Sequence, residues 1–268
     1  MTQKLLHLKF WGILTLIGFF VSMNGVAQTV DKTGTFDPTL TGTETVYAAI
    51  VFNDGNANGN YDAIFTLSDQ TITAWTAYAA VVAFYEDGIS IRTTAGMVAP
   101  ANLTNVVIPT PGELVNIWVT LDVPNSKYYV YAQTGSMPAP VSIYDAGGDF
   151  RDAATFIDRW SAVHNEPDFL NVQHVATDLA VGQIPASIAD PSLKSLSVNL
   201  GTLTPAFNPE ELNYTLEVPF GTTSVTIAAE ANGIGAKVTG TGVIPVVDGY
   251  AYAPIIVTAG NGEQAEYV

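Results

Sequence analysis

Side chains with oxygen ligands alternate through the segment DGNANGNYD, which lies between two apolar runs. At this spacing, carboxylate and amide oxygens surround a hard cation in calcium loops, with a glycine at the sixth position. Gly59 occupies that position, but the twelfth is Phe65 rather than the bidentate Glu of an EF-hand. The alternative is a polar loop between strands. The candidate calcium ligands are Asp54, Asn56, Asn58, Asn60 and Asp62.

Aromatic side chains on one side of a predicted β-hairpin form a second candidate site. In the segment from Glu113 to Gly135, aliphatic residues alternate with polar and aromatic ones. That period of two predicts strands, and Pro124-Asn125-Ser126 predicts the turn between them. Trp118, Tyr129 and Tyr131 lie opposite the aliphatic face, where their rings could stack on sugars if that face is open. If another layer covers the face, they are core residues.

No set of residues for catalysis is evident, and we assign none. The sequence lacks a G-x-S-x-G nucleophile elbow and a phosphate-cradling loop. Glu86 and Asp87 are adjacent, so on a strand their carboxylates would point to opposite faces. The acidic stretch with Asp145, Asp149 and Asp152 is either a second cation loop or a solvated surface loop.

Composition limits the classes of partner. The formal net charge is −16, which disfavours nucleic acids and anionic membrane surfaces because both would be repelled. The chain has no cysteine, which excludes disulfides, thiolate zinc sites and cysteine nucleophiles. The acidic balance is compatible with divalent cations and with neutral glycans.

The first residues have the pattern of a secretory signal peptide. Lys4 and Lys9 precede an uncharged apolar run from Phe10 to Met23, and Gly25-Val26-Ala27 follows with small residues. The run is short for a membrane span. We therefore expect residues 1–27 to be removed, a secreted or cell-surface location, and no membrane insertion of the mature chain; the alternative is an uncleaved anchor.

The remaining sequence predicts an all-β protein in two parts. Short β-runs separated by Gly, Pro and Asn indicate a β-sandwich or jelly roll over residues 28–183. Residues 71–84 fit either a strand pair or a short helix, and their neighbours favour strands. Proline and small residues predict a linker at 184–191, and a smaller sandwich follows at 192–268. The two sandwiches are expected to be independent.

The C-terminal part resembles the bacterial cadherin-like β-sandwich domain. The resemblance rests on the order L-x-x-L-x-V, G-T-L-x-P-x-F-x-P, Y-T-L-x-V-P and T-S-V-T-I from Leu193 onward, and on the late segment GNGEQAEY. It implies an immunoglobulin-like spacer or adhesion module. Because Glu266, Tyr267 and Val268 enter the last strand of that pattern, we expect that strand to be cut short and the longer protein to continue.

Residues 29–185 resemble the laminin-G-like, concanavalin-type jelly roll of exported bacterial surface proteins. The resemblance rests on VYAAIVF, on GNYDAIFTL and on the hairpin VNIWVTLDVPNSKYYVYAQTG. It implies binding to glycans or proteins, and in some relatives a part in polysaccharide degradation. The combined prediction is an exported, non-catalytic binding or adhesion module. The alternatives are a polysaccharide-active lyase or hydrolase on the jelly roll and a structural spacer of a larger adhesin.

The calcium prediction is tested by titration. We expect chelator-treated protein to release or take up heat on addition of Ca²⁺ and to unfold at a higher temperature with the ion bound, because binding to the folded state alone stabilises it. Isothermal titration without heat, together with an unchanged melting temperature, would remove the calcium loop.

Overall fold

The structure is a computed structural model that describes residues 20–23, 26–53, 63–71, 78–85, 87–135, 137–164, 170–177 and 179–268. Short strands make up most of the described chain, with two 3₁₀ turns at Pro100–Asn102 and Val123–Asn125. The first thirteen strands are β1 (Phe20–Met23), β2 (Val26–Leu40), β3 (Thr45–Phe52), β4 (Ala63–Ser68), β5 (Ala80–Tyr85), β6 (Gly88–Thr93), β7 (Gly96–Met97), β8 (Leu114–Asp122), β9 (Lys127–Thr134), β10 (Val141–Ser142), β11 (Gly148–Asp149), β12 (Ile157–His164) and β13 (Leu170–Thr177).

These strands form two antiparallel sheets that pack face to face. Sheet 1 has the order β1-β2-β12-β4-β5-β6-β7, and sheet 2 has the order β10-β9-β8-β3-β13, with β11 also paired to β9. Their inner faces enclose a core that includes Phe65, Ile91 and Ile117, all fully buried. The all-β sandwich predicted for this part of the chain is therefore confirmed.

The predicted hairpin is confirmed as β8 and β9. Its strands pair in one register from Val115 with Thr134 to Asp122 with Lys127. Asp122 begins the turn by accepting hydrogen bonds from the backbone and the side chain of Asn125, and Ser126 ends it in the left-handed conformation. Turn residues that bond their own backbone thus set the register of the hairpin.

The structure describes part of residues 71–84, the segment whose sequence fits either a helix or a strand pair. Residues 80–85 form strand β5, as their neighbours favoured, whereas residues 72–77 lie outside the described residues. At the start of the chain, β1 pairs only with β2 at the edge of sheet 1. Removal of residues 1–27 would therefore leave the pairing of β2 with β12 in place.

The C-terminal unit is a smaller antiparallel sandwich. Its strands are β14 (Leu193–Val198), β15 (Leu203–Thr204), β16 (Thr215–Leu216), β17 (Ser224–Ala231), β18 (Lys237–Thr239), β19 (Gly242–Pro245), β20 (Ile255–Thr258) and β21 (Gln264–Tyr267). The sheet β14-β17-β19 and the sheet β18-β20-β21 share a core around Leu196, Ile227 and Val257, and β15 pairs with β16. The immunoglobulin-like expectation for this part is therefore correct in its fold class.

The backbone of Val268 is hydrogen-bonded within the smaller sandwich. Val268 donates its N–H to the carbonyl of Leu212 at 2.8 Å and accepts a bond from the N–H of Tyr214 at 2.6 Å. Beside it, the buried Tyr267 hydroxyl accepts from the N–H of Leu193 and donates to the carbonyl of Pro209. These bonds join the region of β21 to residues 209–214 and to the start of β14.

One buried hydroxyl joins the two sheets of the larger sandwich. Tyr128 on β9 accepts a hydrogen bond from the N–H of Arg92 on β6 at 2.9 Å. The same hydroxyl lies 2.6 Å from the carbonyl of Arg92 and 2.9 Å from that of Val81, either of which can accept its proton. Burial raises the pKa of Tyr128 above its usual value, since the charged form would be desolvated.

Tyr128→Phe is expected to destabilise the protein by about 1–3 kcal/mol, because the N–H of Arg92 and the carbonyl that accepts the hydroxyl proton lose their partner. Urea unfolding monitored by circular dichroism measures the change, with Tyr250→Phe, a substitution at an exposed ring, as the control. A loss below about 0.5 kcal/mol, the range of ordinary surface substitutions, would contradict this role.

Candidate functional site

The outer face of sheet 2, which carries the predicted ligand-binding aromatics, is covered over part of its area. Tyr47, Leu114 and Trp118 on this face are fully or almost fully buried, and they pack in one cluster with Ile188. Ile184 of the connecting segment and Ile234 of the C-terminal unit pack against the same cluster. The cluster therefore spans both sandwiches and the segment between them.

A buried amide forms the polar centre of this junction. The Asn116 side chain is fully buried; its Oδ1 accepts the Tyr47 hydroxyl proton at 2.6 Å, and its Nδ2 donates to the carbonyl of Gly260 at 3.0 Å. The bond to Gly260 crosses from β8 to the C-terminal unit. Burial raises the pKa of Tyr47 above its usual value, so this hydroxyl remains a donor at neutral pH.

The close approach of the two units depends on glycines. A Cβ added at Gly260 would overlap Leu114 and would lie 2.7 Å from Cγ2 of Ile188. A Cβ at Gly235 would lie 2.8 Å from Cδ1 of Leu114, and this glycine also has a φ of +71°. The backbone at Gly235 and Gly260 can approach the Leu114 side chain this closely only because glycine has no side chain.

The connecting segment is part of the junction rather than a spacer. Trp118 donates its indole N–H to the carbonyl of Gln183 at 3.0 Å, and the N–H of Ile234 donates to the carbonyl of Ser187 at 2.7 Å. Ile188, inside the predicted linker 184–191, is fully buried. The prediction that the two sandwiches are independent is wrong, because a shared core and hydrogen bonds connect them.

Of the three predicted ligand-binding aromatics, the junction buries one and leaves the other two half-buried. Trp118 has 0% of its surface exposed, so it has no accessible ring face and corresponds to the core alternative. Tyr131 pairs with Trp118 across the hairpin and is half-buried at the margin of the cluster. Tyr129 is also half-buried and pairs with Thr120.

The uncovered part of the sheet 2 face combines rings with hydroxyl groups. Thr45 and Thr120 lie side by side on β3 and β8, with their hydroxyl oxygens 3.1 Å apart. Together with Tyr129 and Tyr131 on β9 they form what we call the tyrosine–threonine shelf. All four residues are half-buried, so each keeps part of its surface accessible.

The margin of the shelf is shaped by a tight turn and an ion pair. The turn at Gly147 packs so closely against Tyr129 that a Cβ there would lie 2.7 Å from ring atom Cε1. Two positions before Tyr129 in the sequence, Lys127 bonds Asp149 at 2.7 Å. This hydrogen bond lowers the pKa of Asp149 and raises that of Lys127, but both side chains are exposed, so the pair adds little stability.

The predicted metal ligands lie in a part of the chain that the structure does not describe. Asp54, Asn56, Asn58, Asn60 and Asp62 lie outside the described residues, so the calcium loop remains a prediction. Among the described residues, no group of three or more His, Cys, Asp or Glu side chains is arranged to hold a metal ion.

Sheet 1 also has a buried outer face, which sequence reasoning missed. Ile64, Val81 and Val163 are buried in a second apolar cluster on that side. Thr66 and Ser161 are buried beside them, and the Thr66 hydroxyl donates to the carbonyl of Ser161. The signal was present in β5, where AVVAFY runs apolar without alternation, as expected of a strand that is buried on both faces.

Comparison with protein families identifies the C-terminal unit. Residues 193–268 match the family described as the cadherin-like beta sandwich domain, which confirms the resemblance predicted for this part of the sequence. A search of curated proteins finds no match. No helix within the described ranges has the length and apolar character needed to cross a membrane.

Solved structures give weaker similarities. A sialidase has 10% identity and a TM-score of 0.36 over 60% of this chain, but over only 15% of its own chain. The lectin UEA-II complexed with galactose has 11% identity and a TM-score of 0.36, with 60% of this chain and 91% of the lectin covered. An arabinofuranosidase complexed with arabinofuranosyl-alpha-1,2-xylobiose has 12% identity and a TM-score of 0.25, with 91% and 56% covered. TM-scores this low do not support the transfer of a function to this chain.

Gly260→Ala is expected to separate the unfolding of the two units, because the added methyl group overlaps Leu114 and Ile188 in their shared core. Scanning calorimetry should show one transition for the native protein and two for the variant. Gly135→Ala is the matched control, since its Cβ would have no neighbour nearer than 3.9 Å. Equal behaviour of the two variants would show that the junction does not couple the units.

Proposed function

We propose that this protein is an exported, non-catalytic binding module that recognises a neutral glycan at the tyrosine–threonine shelf. The observation that supports this most directly is the set of two tyrosine rings beside two threonine hydroxyls on a partly open sheet face. Sugars present apolar C–H faces together with hydroxyl groups, which matches rings and hydroxyls in one surface.

The charge of the chain favours a neutral ligand. A formal net charge of −16 repels polyanionic chains such as nucleic acids and acidic polysaccharides. At the shelf itself, the cationic group of Lys127 is bonded to Asp149, so the local ion pair is close to neutral. Recognition by stacking and hydrogen bonding is therefore favoured over recognition by charge.

The shelf is held on rigid elements. Its residues lie on β3, β8 and β9, whose inner faces are buried in the main core and whose outer faces continue into the junction cluster. Side chains on such strands need little ordering when a ligand binds, which reduces the entropic cost of binding.

Export and calcium complete the proposal. The signal-like residues 1–27 support secretion or surface display, and the alternating Asp and Asn residues at 54–62 support a bound Ca²⁺. A second candidate function is that of a rigid spacer in a larger adhesin. The buried junction favours it, because two sandwiches joined through a shared core form a fixed unit.

Tyr129→Ala is expected to abolish detectable glycan binding, because it removes one of the two rings of the shelf. Tyr129→Phe keeps the ring and should retain most of the affinity, whereas Tyr250→Ala, at an exposed ring of the C-terminal unit, should have no effect. A glycan array followed by titration of the strongest ligand provides the measurement.

The same preparation is tested for release of reducing ends from the bound glycans. Binding without release supports the module, and release of product would contradict it in favour of an enzyme. Absence of both signals would reject the shelf as a glycan site and leave the spacer.

A further inference from the structure

The C-terminal sandwich is open along one side. A cavity of about 320 Å³ lies between its two sheets, lined by apolar residues that include Val198, Val225, Ile244, Ile255 and Tyr267. Seven of the eleven large hydrophobic residues that are exposed in the described chain belong to this smaller unit. An apolar opening with exposed apolar margins is typical of an interaction site.

The opening results from a hairpin whose arms diverge. Val247 and Tyr250 form the last bonded pair, with both N–H···O bonds near 3.0 Å. On one side β19 continues along β17, and on the other side residues 251–254 lead into β20 of the opposite sheet. Val246 and Ala251 both line the cavity, which therefore lies between the two arms.

The second arm presents backbone groups without partners. Among the described residues, none accepts a hydrogen bond from the N–H groups of Ala251, Tyr252 or Ala253. Ala253 precedes Pro254, which biases its backbone to an extended conformation. Extended backbone with unsatisfied donors beside an apolar groove provides the two components that bind an added strand.

The acidic residues at the border of the cavity indicate the charge that a partner would carry. Glu217 and Asp248 are sequence neighbours of residues that line the cavity. The carboxylate of Glu266 lies 3.5 Å from the hydroxyl of Tyr252. All three carboxylates are exposed, whereas Lys194 of this unit bonds Glu230 on another part of the surface. A partner with positive charge beside its apolar residues would be attracted here, and a second copy of this acidic chain would be repelled.

We propose that this groove, bordered by residues 251–253, binds an extended peptide segment of another protein, with alternating apolar side chains and basic residues at its ends. The peptide adds as a β-strand to the arm at residues 251–253 and places every second side chain between the two sheets. Since successive N–H groups of a strand point to opposite edges, pairing engages either Tyr252 or the pair Ala251 and Ala253.

The test uses the full chain and a capped synthetic peptide of sequence Lys-Val-Thr-Val-Thr-Val-Lys. Titration should show saturable binding, and hydrogen exchange at Tyr252, or at both Ala251 and Ala253, should slow by about tenfold or more on binding. A peptide with Asp in place of both Lys residues, and one with N-methylated backbone amides, should each bind at least about tenfold more weakly.

Glu217→Lys combined with Glu266→Lys should weaken binding of the basic peptide about tenfold or more. Asp87→Lys combined with Asp145→Lys is the matched control, with the same change of charge on the first sandwich and no expected effect. Equal binding of the N-methylated peptide would identify an apolar-ligand pocket instead of a strand site. The proposal is overturned by that result, by absence of binding or protection, or by dimers that form through the groove without peptide.

Discussion

The hydrogen bonds of Asn116 and Trp118 constrain the whole molecule. Both side chains lie on the outer face of a sheet and are fully buried, so their polar atoms require partners within the protein. Asn116 bonds Tyr47 and Gly260, and Trp118 bonds Gln183. Without the connecting segment and the C-terminal unit, these groups and the apolar cluster around them would face water. The two sandwiches are thus each incomplete at this surface.

This constraint determines where recognition can occur. The covered end of the face is an internal interface, and the uncovered end is the tyrosine–threonine shelf, where Tyr131 packs against that interface. The C-terminal unit has an opening of a different character, apolar inside and acidic at its margin. We propose a neutral glycan as the ligand of the first surface and an extended peptide as the ligand of the second, and the two surfaces lie at separate places on the chain.

Sequence patterns predicted the strands well and their environment less well. Alternation along β8 and β9 identified the hairpin, because its inner face is aliphatic and its turn residues bond locally. The same alternation is compatible with an open or a covered outer face, so it could not place Trp118. A better signal was β3, TVYAAIVF, an unbroken apolar run that indicates burial on both sides. Prolines and small residues predicted a linker at 184–191, but Ile184 and Ile188 in this segment pack in the junction. The contribution of Gly260 depends on contacts far away along the chain, including its bond to Asn116 at a separation of 144 positions, which no local pattern encodes.

Residual dipolar couplings of backbone amides provide the most direct measurement of the central claim, that a shared buried core fixes the two sandwiches to each other. If the claim holds, one alignment tensor fits the couplings of residues 28–182 and of residues 193–268 together. Two tensors of different magnitude or orientation would show that the units move independently, and would contradict the interface built on Asn116, Trp118 and Gly260.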